Sequence, residues 1–214
     1  MKIAVFGSTG QIGKLLVEQA LDEGLQVVAY ARDPSKLDDY KKNQNLIIVE
    51  GQLSDKNRIE EAINGVDAVL SMLGPDIVGK VVGMPISQGT QNIVDAMEKN
   101  GVKRLIVIAT QSVPDPNDSP TLRIKIGRAF VRLVARHAYD EVIGLSEIIQ
   151  SSDLDWTIVR FWQPTDGKRT GNILHGYVGK TSLGGKTTRA DIAEFSFEQL
   201  TDKTYIRKMP AISN

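Results

Sequence analysis

The 214-residue chain contains no cysteine. That excludes a disulfide framework, a thiol nucleophile and zinc–thiolate coordination. Histidine is almost as scarce, and His137 and His175 stand too far apart in the sequence to suggest a metal site, so none is expected. No sign of charge dominates: 26 Lys and Arg balance 26 Asp and Glu, and the balance points neither to nucleic acid nor to an anionic membrane as partner. Long hydrophobic runs are missing too, since none approaches the roughly 18–20 residues that cross a bilayer. No basic–apolar–small signal pattern precedes the first strand pattern, which begins almost at Met1. The expectation is a cytoplasmic protein without a nucleic-acid or membrane partner. An apolar content of 41% with 24% charged residues is ordinary for a globular domain with a substantial core. No repeat, low-complexity tract or linker divides the chain, so residues 1–214 are read as one domain, with the segment from about 155 to 214 completing a pocket.

What is present begins at once. Ile3, Ala4, Val5 and Phe6 form a short apolar run, as expected of a strand buried on both faces of a parallel sheet. Gly7, Gly10 and Gly13 follow, and Ile12, Leu15, Leu16 and Ala20 open an amphipathic pattern. Strand, glycine turn and helix are the context in which such glycines read as a dinucleotide site. Gly7 would let the chain turn, Gly10 would let the backbone approach a pyrophosphate, and Gly13 would bring the helix close to the sheet. The free N–H groups and partial positive charge of the helix start favour a diphosphate. The spacing is Gly-x-x-Gly-x-x-Gly, and alone it would also suit an ordinary strand-to-helix turn.

The alternation continues. Leu25–Ala31 and Leu46–Glu50 read as strands two and three, Ser54 as the cap of a helix through Asn64, and Val66–Leu73 as strand four. Ser87 is expected to open a helix stopped by Asn100-Gly101, before strand five at Val102–Ala109. After a loop from Thr110 to Pro120 comes a long helical region, Thr121 to Gln150, with a break expected near His137–Asp140. Asp155–Phe161 is strand six. A short strand near Tyr177–Thr181, a helix from Ala190 to Leu200 and an extended piece near Tyr205 complete the order. Strands alternating with helices imply right-handed parallel βαβ units, a doubly wound, mostly parallel α/β sheet of Rossmann-like type.

Over nearly its whole length the chain resembles the atypical short-chain dehydrogenase/reductases with an NAD(P)H-binding domain of the NmrA-like type. The segments that carry the likeness are Lys2–Gly13, Tyr30–Lys36 (YARDPSK), Leu154–Arg160 (LDWTIVR) and Thr188–Ala193 (TRADIA). The compact size and the Arg32–Lys36 run look most like the biliverdin-IXβ/flavin reductase type. The likeness implies a phosphate turn made of Gly7, Ser8, Thr9, Gly10, Gln11, Ile12 and Gly13. At the end of strand two, where an NAD-specific domain presents an acid to the ribose 2′-hydroxyl, this chain presents Arg32, with Lys36 nearby. A guanidinium can clamp a 2′-phosphate with charge-assisted bonds of about 1.5–3 kcal/mol each, so NADP(H) is expected in preference to NAD(H). The alternative is a surface arginine paired with Asp33. Gln52 and Leu53 stand where the family lines the adenine, Gln52 replacing the usual aspartate. Leu73 and Gly74 would pass the adenosine ribose and pyrophosphate, and Thr110 and Gln111 would face the nicotinamide.

The superfamily's Tyr-x-x-x-Lys pair is incomplete. The tyrosine position falls on Tyr139 and the lysine position on Ile143, which cannot lower a phenol's pKa. Tyr139 is therefore read as a packing or surface tyrosine, although it stays the one catalytic candidate. Hydride transfer to a flavin, quinone or tetrapyrrole needs no such acid, because a conjugated acceptor can take its proton from water; it needs a cofactor at an open apolar pocket. Gln111, Trp162 and Gln163 are the expected pocket residues, with Phe161 and Tyr177 above them. The reading is an NADPH-dependent reductase of a small conjugated acceptor, as a monomer or small homo-oligomer. The alternative is a non-catalytic NADP(H)-binding redox sensor. Finally, Arg123, Lys125, Arg128, Arg132 and Arg136 interleave with Leu122, Ile126, Ala129, Phe130 and Leu133. This is expected to be an amphipathic helix with a cationic outer face.

Overall fold

The computed structural model describes residues 1–75 and 83–214. In chain order the elements begin with β1 (Lys2–Phe6), α1 (Gln11–Asp22), β2 (Gln26–Ala31) and a 3₁₀ helix at Pro34–Tyr40. Next come β3 (Leu46–Glu50), α2 (Lys56–Ile63), β4 (Ala68–Ser71), α3 (Pro85–Lys99) and β5 (Arg104–Thr110). Two consecutive helices follow, α4 (Leu122–Val134) and α5 (Arg136–Gln150), then β6 (Asp155–Phe161). The remainder holds β7 (Pro164–Thr165), β8 (Leu174–Gly176), β9 (Thr187–Thr188), α6 (Arg189–Glu198) and β10 (Ala211–Ser213).

The main sheet runs β3-β2-β1-β4-β5-β6-β10-β8, parallel throughout except for the antiparallel β10–β8 pair. Its first six strands have the order of the Rossmann fold. The apolar run of β1 lies at the centre because both of its faces are covered. Ala4 and Phe6 join a core with residues of α2, α3 and α5, while Ile3 and Val5 join the opposite core with α1 and α6. Alternation on β5 repeats the division, with Leu105, Val107 and Ala109 on one side and Ile106 and Ile108 on the other. Three helices end at a glycine: Gly24, Gly65 and Gly101 each take a left-handed φ just past α1, α2 and α3.

Some boundaries differ from the sequence reading. Asp55, not Ser54, caps α2, its carboxylate accepting the Arg58 N–H at 3.1 Å. Helix α3 begins at Pro85, whose fixed φ suits a first turn, and Ser87 bonds elsewhere. The long helical region breaks at Ala135 (φ −128°, ψ 45°), ahead of the expected His137–Asp140, with no proline or glycine to announce it. Tyr177–Thr181 is a turn in which Gly179 takes φ +80°, and the strand precedes it as β8. The last strand is β10 rather than a piece near Tyr205.

Candidate functional site

The strand order reverses between β1 and β4, leaving a crevice at the carboxyl ends of the strands where open α/β sheets take their ligands. A cavity of ≈ 700 Å³ opens there, within the size range of ligand pockets. It is lined by the ends of four strands, from Gly7, Thr9 and Gly10, through Tyr30, Ala31 and Arg32 with Lys36, to Gly51–Ser54 and Met72–Pro75. Helix α3 contributes Pro85, Ile86, Gln88, Gly89 and Asn92, and α5 contributes His137 and Glu141. A shallower concavity continues it past Arg32 and Gln52 to Glu50, Asp55 and Arg58.

The three glycines of the opening have three separate causes. Gly7 has φ +72°, and a Cβ there would lie 2.8 Å from the Met72 carbonyl carbon. At Gly13 a Cβ would stand 2.1 Å from the Gly7 carbonyl oxygen, so this residue sets the close approach of α1 to the sheet. Gly10 is less constrained: its φ is −74°, and a Cβ would make one tight contact, with the Gly7 oxygen at 3.3 Å. The space left by its missing side chain belongs to the cavity. Helix α1 starts at this point with no side-chain cap and no acidic residue in its first turn. Its orphan N–H groups are therefore open to an anion, and the residues around them fit a dinucleotide's diphosphate.

At the far rim, Arg32 is exposed and forms no ion pair among the described residues. The expected alternative, pairing with Asp33, is not what the structure has. Asp33 accepts from the Ser35 N–H and hydroxyl and lies 4.0 Å from Lys36, and the Ser35 hydroxyl bond is the chief reason its carboxyl is held below the usual range. Tyr30 donates its hydroxyl to the Gln52 carbonyl at 2.8 Å and packs on Phe6 with centroids 4.9 Å apart. Burial, then Asp55, pushes its phenol up to about 12, so it stays neutral and joins the ends of β2 and β3. Asn92 holds the Leu53 carbonyl at 2.8 Å, and Gly89 lets α3 press against the Leu53 side chain.

The remaining expected residues lie elsewhere. Ser8 is buried and donates to the Tyr30 carbonyl at 2.9 Å, tying the turn to β2. Gln11 is exposed, Ile12 packs against the α1–α6 core, and neither lines the cavity. The hydroxyls of Thr110 and Ser112 bond one another. Gln111 is built into the strand ends: its N–H donates to Phe161 O at 2.9 Å, its amide reaches Ile212 O at 3.4 Å, and its carbonyl accepts from Arg128 at 3.0 Å. Trp162 and Gln163 are exposed beyond β6, and no residue after Glu141 lines the cavity. Tyr139 is half-buried and does not line it either. Two residues from both His137 and Glu141, it is turned about 200° away from their side of α5. Ile143 packs against the core.

Glu141 was not legible in the sequence. Its side chain, almost wholly buried, accepts from the Ile86 N–H (3.1 Å), the Ser87 N–H (2.8 Å) and the Ser87 hydroxyl (2.9 Å), closing the start of α3. A second buried group stands over the ends of β5 and β6. Arg160, fully buried, holds Asp118 by two bonds of 2.8 and 2.9 Å and donates to Val113 O and Met209 O. Arg128 adds a third bond to Asp118, and the Val178 N–H a fourth. Burial raises the Asp118 carboxyl, but the bonds from Arg160 and Arg128 outweigh it, and its pKa lies below the ordinary value.

A family model described as NAD(P)H-binding matches residues 7–203. A UPF0659 protein of Saccharomyces cerevisiae is 28% identical, covering 94% of this chain and 87% of its own. The solved structure of a short-chain dehydrogenase/reductase from Veillonella parvula in complex with NADP has a TM-score of 0.81 at 15% identity, over 100% of this chain and 94% of that one. An anaerobillin reductase from Escherichia coli O157:H7 has a TM-score of 0.77 at 21% identity, over 100% and 97%. At these identities the structural likenesses show the fold.

Proposed function

The chain belongs to the NAD(P)H-binding family, and from that premise we propose that it is an NADPH-dependent reductase of a small conjugated acceptor, of the flavin, quinone or tetrapyrrole kind. The observation that carries the reading is one cavity joining the uncapped start of α1 to Lys36 and to Arg32, which forms no ion pair among the described residues. In this reading Gly10 leaves room for the pyrophosphate and the α1 N–H groups bind it. Arg32 and Lys36 take a 2′-phosphate, Gln52 and Leu53 the adenine, and Leu73 and Gly74 the adenosine ribose. Bound NADPH supplies the hydride. The described cavity does not reach Thr110, Gln111, Trp162 or Gln163, so in this reading the nicotinamide end and the acceptor extend beyond it, toward the ends of β5 and β6. With Tyr139 turned from the cavity and Ile143 in the lysine position, the proton comes from water, which a conjugated acceptor permits. The resemblance to biliverdin-IXβ/flavin reductases and the fold shared with an anaerobillin reductase support this acceptor class. The NmrA-like affiliation and a cytoplasmic setting belong to the same proposal.

Calorimetry tests the cofactor choice. NADPH should bind more tightly than NADH, and Arg32→Ala should weaken NADPH by about 1.5–3 kcal/mol, more than tenfold, while sparing NADH. Equal affinities in the native protein overturn it. The same missing acid favours a second reading, a redox sensor without turnover. NADPH oxidation with flavins, quinones and tetrapyrroles separates the two. In the reductase, Tyr139→Phe should lose well under the roughly 10²–10⁴-fold of a general acid; tight NADPH binding with no turnover across that panel selects the sensor.

A further inference from the structure

Helix α4 was expected to bury its apolar residues and show cations to water; Arg123, Lys125 and Arg132 are exposed, but so are its large apolar residues. No residue of α4 is buried, and Leu122, Ile126, Phe130 and Leu133 are 73%, 61%, 62% and 80% exposed. At 100° per residue these four share one side of the helix. Half-buried Ile124, Gly127 and Val131 occupy the opposite side, toward the protein. Arg128 is fixed to Asp118 and to the Gln111 carbonyl, which anchors the helix in this orientation. Arg123 lies at one flank of the apolar side, Lys125 and Arg132 at the other, and all three are exposed. From Thr121 to Tyr139 the chain contains no acidic residue.

We infer that α4 is a docking surface for an anionic lipid bilayer. An outward apolar face flanked by long basic side chains is the pattern of a helix lying in the membrane interface, where the apolar residues enter the acyl boundary and the cations reach back to the headgroups. Charge decides among occupants. Two copies of the protein meeting through this face would set Arg123, Lys125 and Arg132 against their own counterparts with no acid of α4 to separate them, and like charges in contact are unfavourable. Nucleic acid would match the cations but leave four large apolar side chains without a use. An anionic bilayer satisfies both. Zero net charge over the whole chain conceals the feature, because the acids that cancel these cations lie outside the helix. The inference does not depend on the proposed reductase activity.

Sedimentation of the full-length protein with vesicles tests it. Vesicles of phosphatidylcholine containing phosphatidylglycerol should carry the protein down at least tenfold better than phosphatidylcholine alone, and salt should weaken the difference. Phe130→Asp with Leu133→Asp should abolish sedimentation. Arg123→Gln and Lys125→Gln should each cost about fivefold. All four side chains are exposed, so melting temperature and NADPH affinity should not move in these variants. Failure to sediment with either vesicle overturns the inference. So does a native oligomer, seen by light scattering, that Phe130→Asp dissociates, which would assign the face to a second copy.

Discussion

Single residues show most clearly which constraints come from folding and which from the ligand. Gly7 and Gly13 are required by backbone conformation and packing, whereas Gly10 is constrained only by one tight contact with the Gly7 oxygen. Gly13→Val should therefore cost about 3 kcal/mol or more, because the side chain would force α1 off the Gly7 carbonyl. Gly10→Val should cost about 1 kcal/mol as a poorer helix cap yet abolish NADPH binding. Urea unfolding and calorimetry on the two variants check the contrast, and normal affinity in Gly10→Val would leave all three glycines structural. Asp118 offers a second residue-scale test. Its carboxylate is 2% exposed and neutralises Arg160, which is fully buried. Asp118→Asn leaves that guanidinium only the more distant Asp115 carboxylate, at 4.0 Å, as counter-charge and should cost about 3 kcal/mol at pH 7. A carboxyl with a depressed folded pKa stabilises fully above its unfolded pKa near 4 and loses that contribution as pH falls through the lower folded value. The stability gap between native protein and variant should accordingly narrow in acid below about pH 4. A gap that holds constant down to acid unfolding would mean the ion pair is not what Asp118 contributes.

Elements were legible where a pattern is local and obscure where a partner is remote. The four-residue apolar run of β1 and the alternation along β5 identify buried strands because both faces of the sheet are covered along their whole length. The glycine stops after α1, α2 and α3 are equally local, since each needs only a left-handed φ. Ser54 and Asp55 illustrate the limit: both can cap, and the choice depends on which side chain points back along the helix. Helix α4 shows the opposite limit, for its amphipathic pattern is plain while the side that faces the protein is set by Arg128 reaching Asp118. The start of α3 could not be foreseen, because its cap arrives from 54 or more residues away, as Glu141 on α5. That contact gives a prediction for the pair of helices. Glu141→Gln puts an amide donor among donors and leaves a buried N–H of α3 unsatisfied, at about 1–3 kcal/mol. Urea denaturation should register the loss, and Ser87→Ala, which removes one of the three bonds, should register less. Unchanged stability in Glu141→Gln would show that α3 is held by its packing alone.

At the scale of the molecule, the cavity exists only when the sheet is complete. Its walls come from segments as far apart in sequence as Gly7 and Glu141, brought together by the reversal of strand order between β1 and β4. An unfolded chain cannot reproduce such a site, so a ligand that fills it stabilises the native state by mass action. Free NADPH at one hundred times its Kd should add about 2.7 kcal/mol. For a chain of this length that corresponds to a rise in Tm of roughly 5–11 °C, taking 2–4 °C per kcal/mol. Arg32→Ala should lose most of the rise at the same NADPH concentration, because Kd increases while the fold is untouched by an exposed side chain that forms no ion pair among the described residues. Glu141→Gln should melt lower without ligand but keep nearly the full NADPH-induced rise, since its contribution is to the assembly of α3 on α5. Thermal melts with and without NADPH on these two variants therefore separate affinity from assembly. An equal rise in native protein and Arg32→Ala would place the nucleotide's energy elsewhere in the cavity, and the absence of any rise in the native protein would mean that the crevice at the strand reversal is not the nucleotide's site.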